Sequence, residues 1–81
     1  MRLPRDLSGD ELARRLARLG YEPSRQTGSH VRLTTERGGQ HHVTIPRHSS
    51  LRVGTLAAVL AELGSHHHLD RDALLALLFD E

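Results

Sequence analysis

Ser29-His30-Val31-Arg32-Leu33-Thr34-Thr35-Glu36-Arg37-Gly38-Gly39-Gln40-His41-His42-Val43-Thr44-Ile45-Pro46 is the stretch that decides the fold. Val31 and Leu33 alternate with Arg32 and Thr34, and Val43 and Ile45 alternate with His42 and Thr44. Alternation of this kind on both sides of a glycine-bearing turn marks a β-hairpin. A two-residue turn at Gly38-Gly39 would pair Leu33 with Thr44 and mix apolar with polar on both faces. A three-residue loop, Arg37-Gly38-Gly39, pairs Val31 with Ile45 and Leu33 with Val43. A slip of one residue turns every side chain over, so the burial of one clean face selects the second register. Val31, Leu33, Val43 and Ile45 then face a core. His30, Arg32, Thr34, His42 and Thr44 face outward.

Upstream of the hairpin, Ser8-Gly9-Asp10-Glu11 reads as a capping box, with Leu7 and Leu12 placed as a hydrophobic staple. Leu12, Leu16 and Leu19 recur at helical spacing and Gly20 is suited to a C-terminal cap, which predicts a helix over 8–19. Arg14, Arg15 and Arg18 fall on or beside its solvent side. Tyr21 to Gln26 is ambiguous, and because Pro23 cannot donate to a ladder, any strand here belongs at an edge. Downstream, Pro46 ends the second strand and residues 47–52 form a loop. A second helix is expected from Gly54 to Leu63, with Gly64 as its stop. A third runs from Asp70 to Phe79, with Asp70 as N-cap and Leu69 and Leu74 as a staple. Helix, two or three antiparallel strands, helix, helix makes a two-layer α+β domain in which helices cover one face of the sheet.

Composition sets the outer limits. The chain has 81 residues, 37% of them hydrophobic, and residues 1–81 are expected to form a single domain with one core. It has no cysteine, which removes disulfides, thiolate catalysis and cysteine-based zinc sites and suits a reducing cytoplasm. The N-terminus is too broken for a signal peptide, and Ala73–Phe79 is too short an apolar run to span a membrane. Net charge is only +1, yet all 11 cationic side chains are arginine, whose planar fork suits phosphate.

The outward face offers chemistry. RNA carries an internal nucleophile, its 2′-hydroxyl. Cutting it takes a base for that proton, a cation for the phosphorane and an acid for the departing 5′-oxygen. Histidine serves as base or acid near neutral pH, and Arg32 is placed to supply charge. In the favoured register His30 lies opposite Pro46 and His42 opposite Thr34. The two histidines are then four residues apart along the sheet, about 13 Å at strand rise, too far to share one phosphate. Arg47 and His48, just past the strand end, fall nearer to His30, and His48 is the better candidate for a second acid–base group.

Gly28-Ser29-His30, the hairpin, His42-x-Thr44-x-Pro46-x-His48 and Gly54-Thr55-Leu56 opening a helix together resemble the HicA toxin family, also called YcfA-like. Leu19-Gly20-Tyr21 at the end of the first helix fits too. The resemblance covers residues 5–79. It implies a fold like the double-stranded-RNA-binding domain, with helix, three-stranded antiparallel sheet and helix, here with a C-terminal helix added. It implies a type II toxin acting as a metal-independent mRNA interferase whose catalytic residue is His30. Ser29, Arg32, His42, Arg47 and His48 become candidate RNA contacts, with no metal or other cofactor. The implied partners are mRNA and a HicB-like antitoxin that covers the active face. The alternative reading is a non-catalytic nucleic-acid-binding module on the same fold.

Two further features admit plain readings. His66-His67-His68 is expected to be a polar loop before the third helix, since three neighbouring residues splay apart on a helix and alternate on a strand. Leu74, Leu75, Leu77, Leu78 and Phe79 read as core, with any excess available to a homodimer or to antitoxin docking.

Overall fold

The hairpin takes the register that its parity demands. In the computed structural model, which describes residues 3–80, β2 (His30–Thr35) pairs antiparallel with β3 (His41–Pro46), Val31 opposite Ile45 and Leu33 opposite Val43. All four of these side chains are buried. Gly38 and Gly39 turn the chain at φ 72° and 97°, a left-handed conformation that glycine adopts without strain. The ambiguous segment is a strand: β1 (Glu22–Gln26) pairs antiparallel with β2 at the sheet edge, giving the order β1-β2-β3. The register shifts between Pro23 and Arg25, where Ser24 is the extra residue of a bulge.

The helices pack on the inner face. α1 (Gly9–Arg15) starts at Ser8, whose hydroxyl accepts the Glu11 N–H at 3.0 Å. The reciprocal half of the capping box is replaced by ion pairs from the Glu11 carboxylate to Arg14 and Arg15. The predicted helix over 8–19 tightens into a 3₁₀ turn at Leu16–Leu19 and ends at Gly20 with φ 83°. α2 (Val53–His67) and α3 (Arg71–Phe79) complete the layer. Asp70 caps α3 by accepting the Ala73 N–H at 2.8 Å. Leu12, Leu16, Leu33, Ile45, Leu56, Leu63, Leu74 and Leu78 are essentially inaccessible and form one core. Each such side chain stabilises the fold by about 1.5–3 kcal/mol. The α3 leucines belong to that core, and Leu77 alone among them is exposed, at 37%.

Two of the arginines that fall on or beside the solvent side of the first helix, exposed Arg18 and half-buried Arg15, also serve the third. Arg15 donates to the Leu78 carbonyl at 3.0 Å, and Arg18 reaches the carbonyls of Leu77, Leu78 and Asp80 at 3.1–3.2 Å. These are the carbonyls that a helix end leaves unpaired, and a cation there also meets the negative end of the helix dipole. Arg15 additionally lies over the Phe79 ring, 5.3 Å from its centroid.

The histidine run is not a loop. α2 continues through Gly64 to His67 and reverses at His68, whose φ is 57°. Gly64 is needed for a different reason, since a Cβ there would fall 2.7 Å from the Leu69 carbonyl oxygen. The extra turn is held by partners distant in sequence. Buried Tyr21 places its hydroxyl 2.6 Å from His41 Nδ1 and 3.0 Å from His67 Nε2. His66 stacks on His41 with centroids 4.4 Å apart, and its Nε2–H donates to the carbonyls of Arg37 and Gly39 at 3.0 and 3.1 Å. Glu62 lies 3.4 Å from His41 Nε2. Burial, with the Glu62 charge added, pushes the Tyr21 hydroxyl up to about 12.

Burial, reinforced by the charges of His66, His41, Arg37 and His68, holds the His67 imidazole below its ordinary value. In the unfolded chain it titrates near pH 6.5, roughly the value of a free histidine. Above that pH both states hold it neutral and stability is level. As pH falls through it, the unfolded chain takes up the proton first and the native state loses stability until the lowered native value is passed. Thermal melts are expected to be flat from about pH 8 to 7 and to fall below about pH 6.5. The fall should be shallower in His67→Asn; an equal slope in both proteins would place the acid sensitivity elsewhere.

Candidate nucleic-acid interface

The outer face of the sheet is uncovered by helices. His30 stands at one end of the central strand, on the first residue of β2, opposite Pro46. Its backbone is fixed from both sides. The Thr27 N–H donates to the His30 carbonyl at 2.9 Å, and the His30 N–H donates to the Thr27 hydroxyl at 3.1 Å. The Arg47 N–H donates to the Ser29 carbonyl at 2.7 Å, extending the ladder one step past Pro46. The His30 side chain is exposed, and its Nδ1 lies 2.9 Å from the Ser29 hydroxyl. A serine hydroxyl accepts from Nδ1–H as readily as it donates to a bare Nδ1. With Nδ1–H held by Ser29, Nε2 is left free to take a proton, and the same contact survives in the imidazolium.

Arg32 follows two residues along the same face, about 7 Å at strand rise. The bulge brings it a companion. Arg25 is the partner of Arg32 across β1 and β2, so both guanidinium groups lie on the outer face beside His30. Neither has an ion-pair partner among the described residues. Like charges set directly opposite on a sheet repel, and a bound anion removes that cost. The sequence reading missed Arg25. The one signal was Pro23, since proline in a strand is confined to edges, strand starts and bulges; the extra residue after it, Ser24, reverses the parity and undoes any face assignment made by counting.

The remaining candidates separate. His42 sits opposite Thr34, four residues along the sheet from the level of His30, with its Nδ1 2.7 Å from the Thr34 hydroxyl. His48 is exposed just past the strand end, where its carbonyl accepts the Gly9 N–H at 2.9 Å. Arg47 has the parity of the inner face, and its guanidinium turns toward α1, where Nε lies 3.0 Å and Nη2 3.4 Å from the Asp10 carboxylate. That guanidinium holds the Asp10 carboxyl below its ordinary value. Both groups are solvated, and any phosphate that meets this guanidinium has to take the place of the Asp10 carboxylate. Asp10→Asn is expected to free it. RNA affinity should rise, and the slope of log K against log salt should steepen by about one contact. An unchanged slope would remove Arg47 from the interface.

Among the described residues no helix is long and apolar enough to cross a membrane. The family model described as HicA toxin of bacterial toxin-antitoxin matches residues 9–65, well over half of the chain, from the first residue of α1 to the last turns of α2. No curated protein and no solved structure matches the chain.

Proposed function

This chain belongs to the HicA toxin family of bacterial toxin–antitoxin systems, and from that membership and the geometry of the open face we propose that it is a metal-independent endoribonuclease acting on mRNA. The observation that carries the reading is the exposed His30 imidazole, oriented at Nδ1 by Ser29 and flanked by the unpaired cations Arg25 and Arg32. His30 Nε2 takes the proton of the ribose 2′-hydroxyl. The freed oxygen attacks the adjacent phosphorus, forming the O2′–P bond. Arg32 and Arg25 neutralise the phosphorane as its charge develops. The P–O5′ bond then breaks, and the departing oxygen is protonated by His48 or by water. The products are a 2′,3′-cyclic phosphate and a free 5′-hydroxyl.

Ser29, His42, Arg47 and His48 complete the RNA-contacting set, and a HicB-like antitoxin restrains the toxin by covering the open face in a hetero-oligomer. The cytoplasm, where mRNA lies, is the place of action. The test is incubation of purified wild-type protein with RNA in the presence of a chelator, beside His30→Ala. Cyclic-phosphate ends from the wild type alone support the reading. Binding with a steep salt dependence but no cleavage by either protein would leave a non-catalytic nucleic-acid-binding module.

A further inference from the structure

We propose that His42 is the residue by which the open face tells RNA from DNA, its Nε2 accepting a hydrogen bond from a ribose 2′-hydroxyl away from the scissile bond. This rests on the reading of the open face as an RNA-cutting surface. It starts from a run of hydrogen bonds across all three strands. Ser24 donates its hydroxyl to the Arg32 carbonyl at 3.2 Å, and a carbonyl can only accept. The single proton of Ser24 is thereby spent. The Thr34 hydroxyl, 2.9 Å from the Ser24 oxygen, must be the donor of that pair. With its own proton spent in turn, Thr34 must accept from His42, 2.7 Å away, so His42 carries its proton on Nδ1. The neutral ring is therefore locked as the Nδ1–H tautomer. Its Nε2 lone pair has no partner among the described residues and stands on an exposed side chain of the outer face.

A lone pair held outward asks for a donor. A phosphate offers none, and the surroundings discourage one. Ser24 and Thr34 line a hollow of about 440 Å³ that also takes in Glu22, Pro23, Glu36 and Arg37. Its two carboxylates, set against the single Arg37 guanidinium that already donates to the Arg18 carbonyl, favour the hydroxyl or base edge of a nucleotide over its phosphate, and the cation pair Arg25 and Arg32 lies midway along the face between the levels of His30 and His42. The separation between His30 and His42 then assigns them to different nucleotides of one strand. The 2′-hydroxyl is the donor that RNA has and DNA lacks. Ser24 keeps the outward parity of Glu22, which pairs with Thr34, and the bulge then turns Arg25 to the same face.

The experiment has two arms. Nitrogen-15 NMR of the histidine rings at about pH 8, where imidazole is ordinarily neutral, should show His42 as the Nδ1–H tautomer. Thr34→Val should turn it into a mixture. In the second arm, His30→Ala protein is titrated with RNAs carrying one 2′-deoxy nucleotide at successive positions. One position away from the scissile bond is expected to weaken binding roughly three- to tenfold, and His42→Ala in the same background should abolish that penalty. A wild-type Nε2–H tautomer, or the same penalty with and without His42, would overturn the assignment. So would a penalty from base changes alone. Failure of both proteins to bind any RNA would overturn the functional reading itself, and with it this role for His42, whatever tautomer the NMR shows.

Discussion

His30→Ala should reduce RNA cleavage by a factor of about 10²–10⁴, the usual contribution of a positioned general base. In free-energy terms that is about 3–5 kcal/mol of transition-state stabilisation. Growth arrest on expression should disappear with it. The fold should be untouched. The imidazole is exposed, and its only described side-chain contact is with Ser29. The bonds that shape the Thr27–His30 turn use the backbone of residue 30, which alanine keeps. A surface substitution of this kind changes stability by less than about 0.5 kcal/mol, so thermal melts of the two proteins should coincide. His30→Asn separates the chemistry from the contact: its amide nitrogen, bonded to Cγ as Nδ1 is, still reaches Ser29 but takes up no proton near neutral pH, and it should be as inactive as alanine. Ser29→Ala should cost far less, since Ser29 orients the ring without exchanging a proton with RNA. An active His30→Ala protein would move the base elsewhere, with His48, at the same end of the sheet, the remaining histidine within reach.

The part of this site built on alternation could be read from the chain. Parity between Val31, Leu33, Val43 and Ile45 set the register, and with it the outward direction of His30, Arg32 and His42. Local chemistry was equally legible at Ser8, Gly20 and Asp70, where a cap depends only on neighbours within one turn. What escaped depends on partners far along the chain. Gly64 looked like a stop because glycine often ends helices. Its real constraint is the returning chain at Leu69, and the helix runs on because Tyr21 and His41 receive the rings of His67 and His66. Arg15 and Arg18 lie on or beside the solvent side as their spacing predicts, but spacing within one helix does not tell that they cap another some sixty positions away. Arg25 was hidden by the bulge, since one inserted residue reverses the parity on which a face is assigned.

Gly9→Ala should be the most damaging single substitution outside the core, although Gly9 touches no RNA in the proposed mechanism. A Cβ at this position would fall 1.9 Å from the Pro46 carbonyl oxygen, 2.9 Å from its carbon and 3.1 Å from the Arg47 Cα. All three are backbone atoms, so no side chain can swing aside. Either α1 lifts off the end of β3, or the strand end moves. Both motions strain the bonds that tie the two segments together, Gly9 N–H to the His48 carbonyl at 2.9 Å and Leu51 N–H to the Leu7 carbonyl at 2.7 Å. Overpacking of about 1–3 kcal/mol and a lost buried hydrogen bond of about 1 kcal/mol outweigh the better helix propensity of alanine, at most about 1 kcal/mol. A net loss of about 2–3 kcal/mol lowers Tm by roughly 10–20 °C in a domain of this size. Gly54→Ala is the control: it lies in α2 with nothing within 4 Å of the new methyl group, and there alanine should be neutral or stabilising by up to about 1 kcal/mol. Cleavage measured well below the lowered Tm then reads position apart from stability. Because the Arg47 N–H holds the Ser29 carbonyl beside His30, a displaced strand end should slow the proposed cleavage by the still-folded Gly9→Ala protein. Full activity at a wild-type Tm would mean that the junction of α1 with β3 does not set the position of His30.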